Sequence, residues 1–292
     1  MSEVFQERLS EHAVEVSRCL ELAMAGFGDD PVAEAMRYAA GGGKRLRAFL
    51  VMESARLFGV PDDRSVWAAA AVEAIHAYSL VHDDLPCMDD DDLRRGRATV
   101  HVKWDEATAV LAGDALQSLA FELLTRDELG VDTAVRLRLV RSLAQAAGAA
   151  GMVLGQAQDI AAESARTPLA LDQITELQAN KTGALIGWSA RAGAVLGGGD
   201  PAQMGVYSAA LGLAFQIADD ILDIEGDAAR TGKRVGKDAE AGKATFVSLL
   251  GLDGAKARAR QLVAEAEAAL EPYGEKAQTL RDAARFVISR DK

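Results

Sequence analysis

The feature that most limits how this chain can fold is the helical spacing of its apolar residues. Alanine and leucine dominate the sequence, and apolar side chains recur at helical rather than strand spacing along most of it. Residues 211–217 are apolar nearly all round, which is typical of a helix inside a bundle. The sequence therefore predicts an all-α fold, a large helical bundle.

Helix boundaries follow from this spacing and from glycine-rich turns. Turns are expected at residues 59–62, 130, 197–201 and 251. Only 6 prolines occur, and no Pro/Gly/Ser-rich stretch divides the chain, so residues 1–292 are expected to form a single domain. The predicted helices cover residues 11–25, 31–41, 46–58, 64–85, 105–126, 132–148, 150–162, 170–180, 183–197, 202–225, 240–250, 254–271 and 275–290.

The charge and the cysteines narrow the possible partners and the compartment. The 32 basic and 44 acidic residues give a net charge of −12, which provides no general attraction for nucleic acid or for an anionic membrane. Cys19 and Cys87 form no disulfide framework and suit a reducing compartment. The N-terminal segment is charged, and the apolar runs are too short to cross a bilayer. We therefore expect a cytoplasmic protein without membrane insertion.

The acidic residues are concentrated in two clusters that each follow an apolar helix. In the second cluster Asp219 and Asp223 are four residues apart and share a helical face, which Gln216 joins. Like charges at this spacing repel unless a cation lies between them. Magnesium suits such a site because it takes one or two carboxylates and completes its shell with water and substrate phosphates.

The first cluster lies between residues 83 and 92 and contains six aspartates. Asp83 and Asp89 would point to different faces of a straight helix, but Pro86 is expected to kink or end the helix and return Asp89 toward Asp83. An aspartate pair at a helix end is often only a helix cap or part of a solvated surface. Two such motifs in one chain, each with basic residues nearby, make this purely structural interpretation weaker. EF-hand and P-loop patterns are absent.

Basic residues that suit phosphate groups accompany both clusters. Lys44 and Arg47 follow a glycine turn that opens a helix, where free backbone N–H groups favour an anion. His76 lies on the same helical stripe as Asp83, and residues 181–183 (Lys-Thr-Gly) are expected to break a helix and expose a carbonyl and a hydroxyl group. The remaining candidate cations are Arg94, Arg95 and Arg97 after the first cluster and Lys233, Lys237 and Lys243 after the second.

At these residues the chain resembles the trans-isoprenyl diphosphate synthases, most closely the bacterial farnesyl diphosphate synthases. The segments GGGKRLR, YSLVHDDLPCMDDDDLRRG, LAGDAL, GQAQDI, KTGALI, GLAFQIADDILD and GKATF occur in the family's order. The resemblance implies a homodimer, and a bundle of the isoprenoid synthase type in which both acidic motifs face a central cavity. It implies that isopentenyl diphosphate and an allylic diphosphate are joined with Mg²⁺. Ala48 and Ala98 depart from the pattern, standing where proline is common.

The resemblance also assigns roles by position. Asp83, Asp84, Asp89, Asp219 and Asp223 are the implied magnesium ligands. Lys44, Arg47, His76 and Arg95 are the implied contacts of isopentenyl diphosphate. The implied contacts of the allylic diphosphate are Arg94, Lys181, Thr182, Gln216, Lys233 and Lys243.

Product length is expected to depend on the residues one turn or more below the first motif. Tyr78 and Ser79 lie there, and the Tyr78 ring is expected to close the pocket floor, a pattern that the family associates with farnesyl diphosphate. Geranyl and geranylgeranyl products remain alternatives, and so does an ordinary core tyrosine. A class I terpene cyclase, a non-catalytic synthase-like subunit and a purely structural bundle are the other readings.

Overall fold

The computed structural model describes residues 2–163, 167–225 and 244–289, and these residues are mostly helical. The all-α prediction is confirmed. The helices, in chain order, are α1 (Glu3–Ala23), α2 (Pro31–Ala40), α3 (Leu46–Leu57), α4 (Asp62–Asp83), α5 (Val100–Lys103), α6 (Glu106–Leu123), α7 (Thr133–Ala147), α8 (Met152–Glu163), α9 (Leu171–Gln178), α10 (Ala184–Leu196), α11 (Ala202–Glu225), α12 (Phe246–Ala269) and α13 (Gln278–Ser289). Within the described ranges, no helix is both long and apolar enough to cross a bilayer.

Shorter elements connect some of these helices. Two-residue strands β1 (Leu93–Arg94) and β2 (Arg97–Ala98) pair as an antiparallel hairpin that the sequence did not predict. Short 3₁₀ helices lie at Asp127–Leu129 and Glu271–Ala277, and a π-helical turn lies at Ala179–Gly183. The strands are too short for a period-two pattern to reveal them.

The chain divides into two compact units. The N-terminal unit consists of Gln6–Arg141 and Ala192–Gly199, and the C-terminal unit consists of Met1–Phe5, Ser142–Arg191 and Asp200–Lys292. Each unit has a buried apolar core: Phe49, Met52 and Ile75 are fully buried in the first, and Tyr207 and Phe246 in the second. The first acidic motif belongs to the N-terminal unit and the second to the C-terminal unit.

Local sequence signals account for several helix ends. The Asp30 side chain accepts hydrogen bonds from the Val32 and Ala33 N–H groups at 3.0 and 3.1 Å, and Pro31 occupies the first turn of α2. Gly59, Gly130 and six further glycines of the described ranges have the positive φ angles that glycine adopts without strain. Turn chemistry thus places the helix boundaries near those predicted.

The predicted start of the first helix was wrong, and the predicted break at residue 251 was right. α1 begins at Glu3 rather than at residue 11, because its first turns carry a weaker apolar pattern although Phe5 is fully buried. The interruption predicted at residue 251 is confirmed, because Gly251 has a non-helical backbone, with φ 70° and ψ 161°, and separates two helical segments within α12.

A glycine lets α10 approach α3 closely within the N-terminal unit. A Cβ atom at Gly193 would lie closer than 3.0 Å to the Ala55 backbone nitrogen and to the Ser54 carbonyl carbon. Backbone atoms cannot move aside as a flexible side chain can. The close contact of these two helices therefore requires glycine at this position.

Gly193→Ala is expected to destabilise the protein by about 1–3 kcal/mol or more, because the added methyl group overpacks a contact between two backbones. Gly205→Ala in α11 is the matched control: only Arg191 Cδ, at 3.8 Å, approaches its added Cβ. The control is expected to gain roughly 0.5–1 kcal/mol through helix propensity. Urea unfolding of both variants measures the difference, and equal stability of the two would contradict this account.

Candidate active site

The first acidic motif begins where α4 ends. α4 ends at Asp83, just before Pro86, and the backbone reverses so that the Asp89 N–H donates to the Asp83 carbonyl oxygen at 2.8 Å. Asp90 follows with φ 50°, a left-handed conformation that aspartate adopts more readily than most residues. The chain thus returns Asp89 to the end of α4, as the position of Pro86 predicted.

A buried ion pair joins this turn to the β-hairpin. Arg94 Nε donates to Asp84 Oδ1 at 2.9 Å, and Arg94 Nη2 donates to the same oxygen. Asp84 is 4% exposed, and burial raises the pKa of its carboxyl group, an effect that the Arg94 hydrogen bond opposes. The Asp84 carboxylate therefore has Arg94 as its partner, while Asp83 is partly exposed and Asp89 is exposed. A metal-ligand role for Asp84 remains a prediction.

Four arginines surround His76 on α4. Burial lowers the pKa of the His76 imidazole well below its usual range, and the positive charges of Arg47, Arg95, Arg45 and Arg94 lower it further. The imidazole is therefore neutral at pH 7. Three of the four predicted contacts for a metal-free diphosphate, Arg47, His76 and Arg95, are thus electrostatic neighbours, and Lys44 precedes Arg47 in the same turn.

The hairpin and the glycine turn before α3 meet in this cluster. Arg95 has φ 55° and its guanidinium lies against Gly43, where a Cβ atom would come within 3.0 Å of the Arg95 side chain. Arg45 is buried, and its Nη1 lies 3.3 Å from Glu73 Oε2. Glu73 Oε1 also accepts a hydrogen bond from the Ala48 N–H at 3.0 Å, which a proline at position 48 would not supply. Glu73 thus fixes the start of α3.

The C-terminal unit places Lys181 and Thr182 in the π-helical turn. We expected a break between two helices here, and α9 and α10 are indeed separate α-helices, but the segment between them is a π turn rather than an open loop. Single π turns within helices occur frequently at functional sites. Lys181 Nζ lies 2.7 Å from Asp159 Oδ2 on α8, and this ion pair fixes the lysine side chain.

One stripe of α11 carries the second acidic motif. Gly212, Gln216, Asp219 and Asp223 follow one another at helical spacing, and a Cβ atom at Gly212 would lie 3.4 Å from the Gly183 Cα atom of the π turn. The stripe that carries the acidic residues therefore also packs against the π turn. Asp220 points elsewhere and accepts a hydrogen bond from the Phe246 N–H at 2.6 Å, at the start of α12.

Sequence reasoning missed two residues that support Lys181. Asp159 is its ion-pair partner, and a Cβ atom at Gly155 would lie closer than 3.0 Å to the Lys181 backbone nitrogen. Both residues belong to the GQAQDI segment, which the sequence analysis singled out as a family motif. Nothing in that motif indicated that it contacts Lys181. Lys233, Lys237 and Lys243 lie outside the described residues.

Tyr78 and Ser79 lie on α4 below the first motif. The Tyr78 side chain is 6% exposed, and its ring meets the His82 ring edge-on at 5.6 Å between centroids. Burial raises the pKa of the Tyr78 phenol, and the neighbouring Gln117 side chain on α6 partly opposes this effect. The Tyr78 hydroxyl makes no hydrogen bond of normal geometry to any described residue. Ser79 Oγ donates to the His76 carbonyl oxygen at 2.9 Å. Tyr78 thus faces α6.

An anion bound among the four arginines is expected to raise the pKa of His76, because it offsets the positive charges that keep the imidazole neutral. Binding then takes up a proton between the pKa values of the free and the bound protein, so affinity for inorganic diphosphate should rise as pH falls through this window. NMR titration of the imidazole measures this shift. In Arg47→Gln the pKa of the free protein should move upward. An unchanged His76 pKa after addition of diphosphate would remove His76 from the anion site.

Comparison with known proteins identifies the family. The family model for polyprenyl synthetase matches residues 29–283. The chain is 47% identical to the farnesyl diphosphate synthase of Escherichia coli over 93% of each chain, and 45% identical to that of Haemophilus influenzae over 98% of each. A solved structure of an FPP/GFPP synthase from Zymomonas mobilis aligns with a TM-score of 0.91 and 45% identity, covering 98% of this chain and 100% of that one. The chain therefore belongs to the polyprenyl synthetase family.

Proposed function

We propose that this protein joins isopentenyl diphosphate to dimethylallyl or geranyl diphosphate and releases farnesyl diphosphate. The observation that carries the proposal is the pairing, within the N-terminal unit, of an aspartate-rich turn with a cluster of four arginines around a neutral histidine. The first suits a diphosphate bound through metal ions, and the second suits one bound by cations of the protein alone. Two diphosphates held in different ways are what a condensation of two such substrates needs.

This pairing favours a synthase over a terpene cyclase. A cyclase ionises one prenyl diphosphate and has no second diphosphate to hold, so the cluster around His76 would have no function in it. A non-catalytic subunit would be expected to lose an acidic motif, and this chain retains both. The relatives named farnesyl diphosphate synthases support the same choice.

The residues of both acidic motifs fit magnesium by their donor chemistry. Asp83 and Asp89 offer carboxylate oxygens at a reversed turn, and Asp219 and Asp223 offer them one helical turn apart. Magnesium takes one or two carboxylates from a protein and leaves its remaining positions to water and substrate phosphates. When bound, it would act as a Lewis acid that neutralises charge on the departing diphosphate. Asp84 fits this role less well, because its partner is Arg94.

The reaction follows from the roles of the protein's own groups. The allylic C–O bond breaks, its electron pair leaves with diphosphate, and Lys181 with Arg94, Lys233 and Lys243 stabilises that negative charge. Lys44, Arg47, His76 and Arg95 hold isopentenyl diphosphate while its double bond forms the new C–C bond to the cation. The proton then lost from the condensed cation goes to the released diphosphate. Oxygen atoms of Lys181, Thr182 and Gln216 are proposed to stabilise the cation.

The choice of product depends on Tyr78. Its ring is buried on α4 one turn or more below Asp83, where it limits the depth available to a growing chain. The neighbouring Ser79 side chain is small and donates a hydrogen bond to the helix backbone. Of these two residues, Tyr78 is therefore the one large enough to block a growing chain. Farnesyl diphosphate is therefore proposed over the geranylgeranyl product. The expected cytoplasmic location and homodimer are carried over from the family and stay predictions.

Asp83→Ala and Asp219→Ala are each expected to lower kcat by about 100-fold or more, because each removes a carboxylate that holds the charge-stabilising metal. Product formation from isopentenyl and geranyl diphosphates, with Mg²⁺ and with a chelator, measures the effect. Asp90→Asn is the matched control, since Asp90 is exposed and asparagine tolerates its left-handed backbone. Near-normal turnover of Asp83→Ala, with an unchanged melting temperature, would reject the metal assignment.

Tyr78→Ala is expected to lengthen the product beyond fifteen carbons, since removal of the ring opens space below the first motif. Chromatography of the products after dephosphorylation measures chain length. Tyr38→Ala serves as a control, because Tyr38 lies on α2 and donates its hydroxyl to the Ala98 carbonyl oxygen at 2.8 Å, away from this stretch of α4. An unchanged product from an active Tyr78→Ala protein would remove Tyr78 as the floor.

A further inference from the structure

His12 on α1 is a buried histidine that the proposed reaction does not use. Its side chain is 1% exposed, and its Nε2 atom lies 2.8 Å from Glu53 Oε1 on α3. The other ring nitrogen, Nδ1, is buried and has no hydrogen bond from any described residue. An unsatisfied buried ring nitrogen costs free energy, so it requires an explanation.

The unsatisfied nitrogen lies close to the Glu15 carboxylate, and Asp62 belongs to the same group of side chains. Glu15 Oε2 lies 3.5 Å from His12 Nδ1, and one ligand atom each of His12, Glu15 and Asp62 lie within 4.8 Å of one another. When the Nε2 hydrogen is donated to Glu53, Nδ1 carries a lone pair next to the Glu15 carboxylate. Acceptors that face each other repel unless a proton or a metal ion lies between them.

We propose that His12, Glu15 and Asp62 bind a divalent transition-metal ion, with Zn²⁺ the best match. Imidazole nitrogen and carboxylate oxygen are zinc ligands at about 2.0–2.2 Å, which places neighbouring ligand atoms of a tetrahedron roughly 3.3–3.6 Å apart. The 3.5 Å between His12 Nδ1 and Glu15 Oε2 already has this value. Magnesium, which prefers oxygen ligands in octahedral geometry, suits the site less well.

Glu53 completes the arrangement as the outer partner of the histidine. Metal-bound histidines usually donate their second ring N–H to a carboxylate, which fixes the tautomer and the ring orientation. Glu53 is 5% exposed in its side chain and is itself held by Arg8 at 3.6 Å and Arg56 at 3.7 Å. The buried carboxylate is therefore charge-balanced and positioned for this role before any ion arrives.

The remaining ligands leave a route for the ion. The Glu15 side chain is 46% exposed and that of Asp62 is 25% exposed, so both reach solvent. Asp62 lies 2.9 Å from Arg56 Nε, and this ion pair must loosen as the metal binds. Because Glu15 belongs to α1 and Asp62 begins α4, the bound ion would tie these two helices together within the N-terminal unit.

The test is calorimetric titration of the full chain with Zn²⁺ in excess Mg²⁺, which competes at the aspartate-rich motifs. Wild type is expected to bind one Zn²⁺ that Glu15→Gln and Asp62→Asn each weaken by about tenfold or more, and Glu53→Gln by about 10- to 100-fold. Glu11→Gln is the matched control on the same helix, because Glu11 is 49% exposed and pairs with Arg8. It is expected to bind Zn²⁺ as wild type does.

Two further measurements separate this site from other histidines and from misfolding. Zn²⁺ is expected to raise the melting temperature of wild type and of Glu11→Gln by more than that of Glu15→Gln at the same Zn²⁺ concentration, because the ion stabilises the native state in proportion to its affinity. The ¹⁵N shift of His12 Nδ1 should move on addition of Zn²⁺. Equal Zn²⁺ binding by Glu15→Gln, Asp62→Asn and wild type would overturn the proposal, and so would a His12 ring that is protonated at both nitrogens and unaffected by Zn²⁺.

Discussion

The buried ion pair between Asp84 and Arg94 is the interaction on which the site in the N-terminal unit depends. It fixes the β-hairpin to the end of α4, and the hairpin in turn brings Arg95 against the glycine turn that precedes α3. Loss of Arg94 would leave the Asp84 carboxylate, which is 4% exposed, without its partner, and this is strongly destabilising. The pair thus helps to hold the hairpin and its arginines at the end of α4.

Glycine serves the structure where backbones or side chains must come closer than a Cβ atom allows. Gly155 lets α8 contact the π turn that carries Lys181, Gly193 lets α10 contact α3, and Gly43 accepts the Arg95 guanidinium. Gly113 does the same for the His82 ring beside Tyr78. Several groups proposed for chemistry are thus positioned by residues that have no side chain of their own.

Charges in this molecule act locally rather than as an overall field. The net charge of −12 coexists with four arginines near one histidine, whose pKa is lowered first by burial and then further by these positive charges. An aspartate-rich turn begins only a few residues further along the same helix. A chain that is acidic overall can therefore have a strongly basic site. The acidic turn suits a diphosphate that is bound through metal ions, and the basic cluster suits one that is bound without metal.

The all-α class, most helices and the positions of both acidic motifs could be predicted from the sequence alone, because helical periodicity and turn glycines are local signals. The family could be predicted too, from motifs such as the run from Tyr78 to Gly96. Three pairings became apparent only in the folded chain: Asp84 with Arg94, Asp159 with Lys181, and His12 with Glu15 and Asp62. These pairings join segments that are distant in the chain or that are brought together by turns. The spacing of residues along one helix does not indicate which other segment packs against that helix.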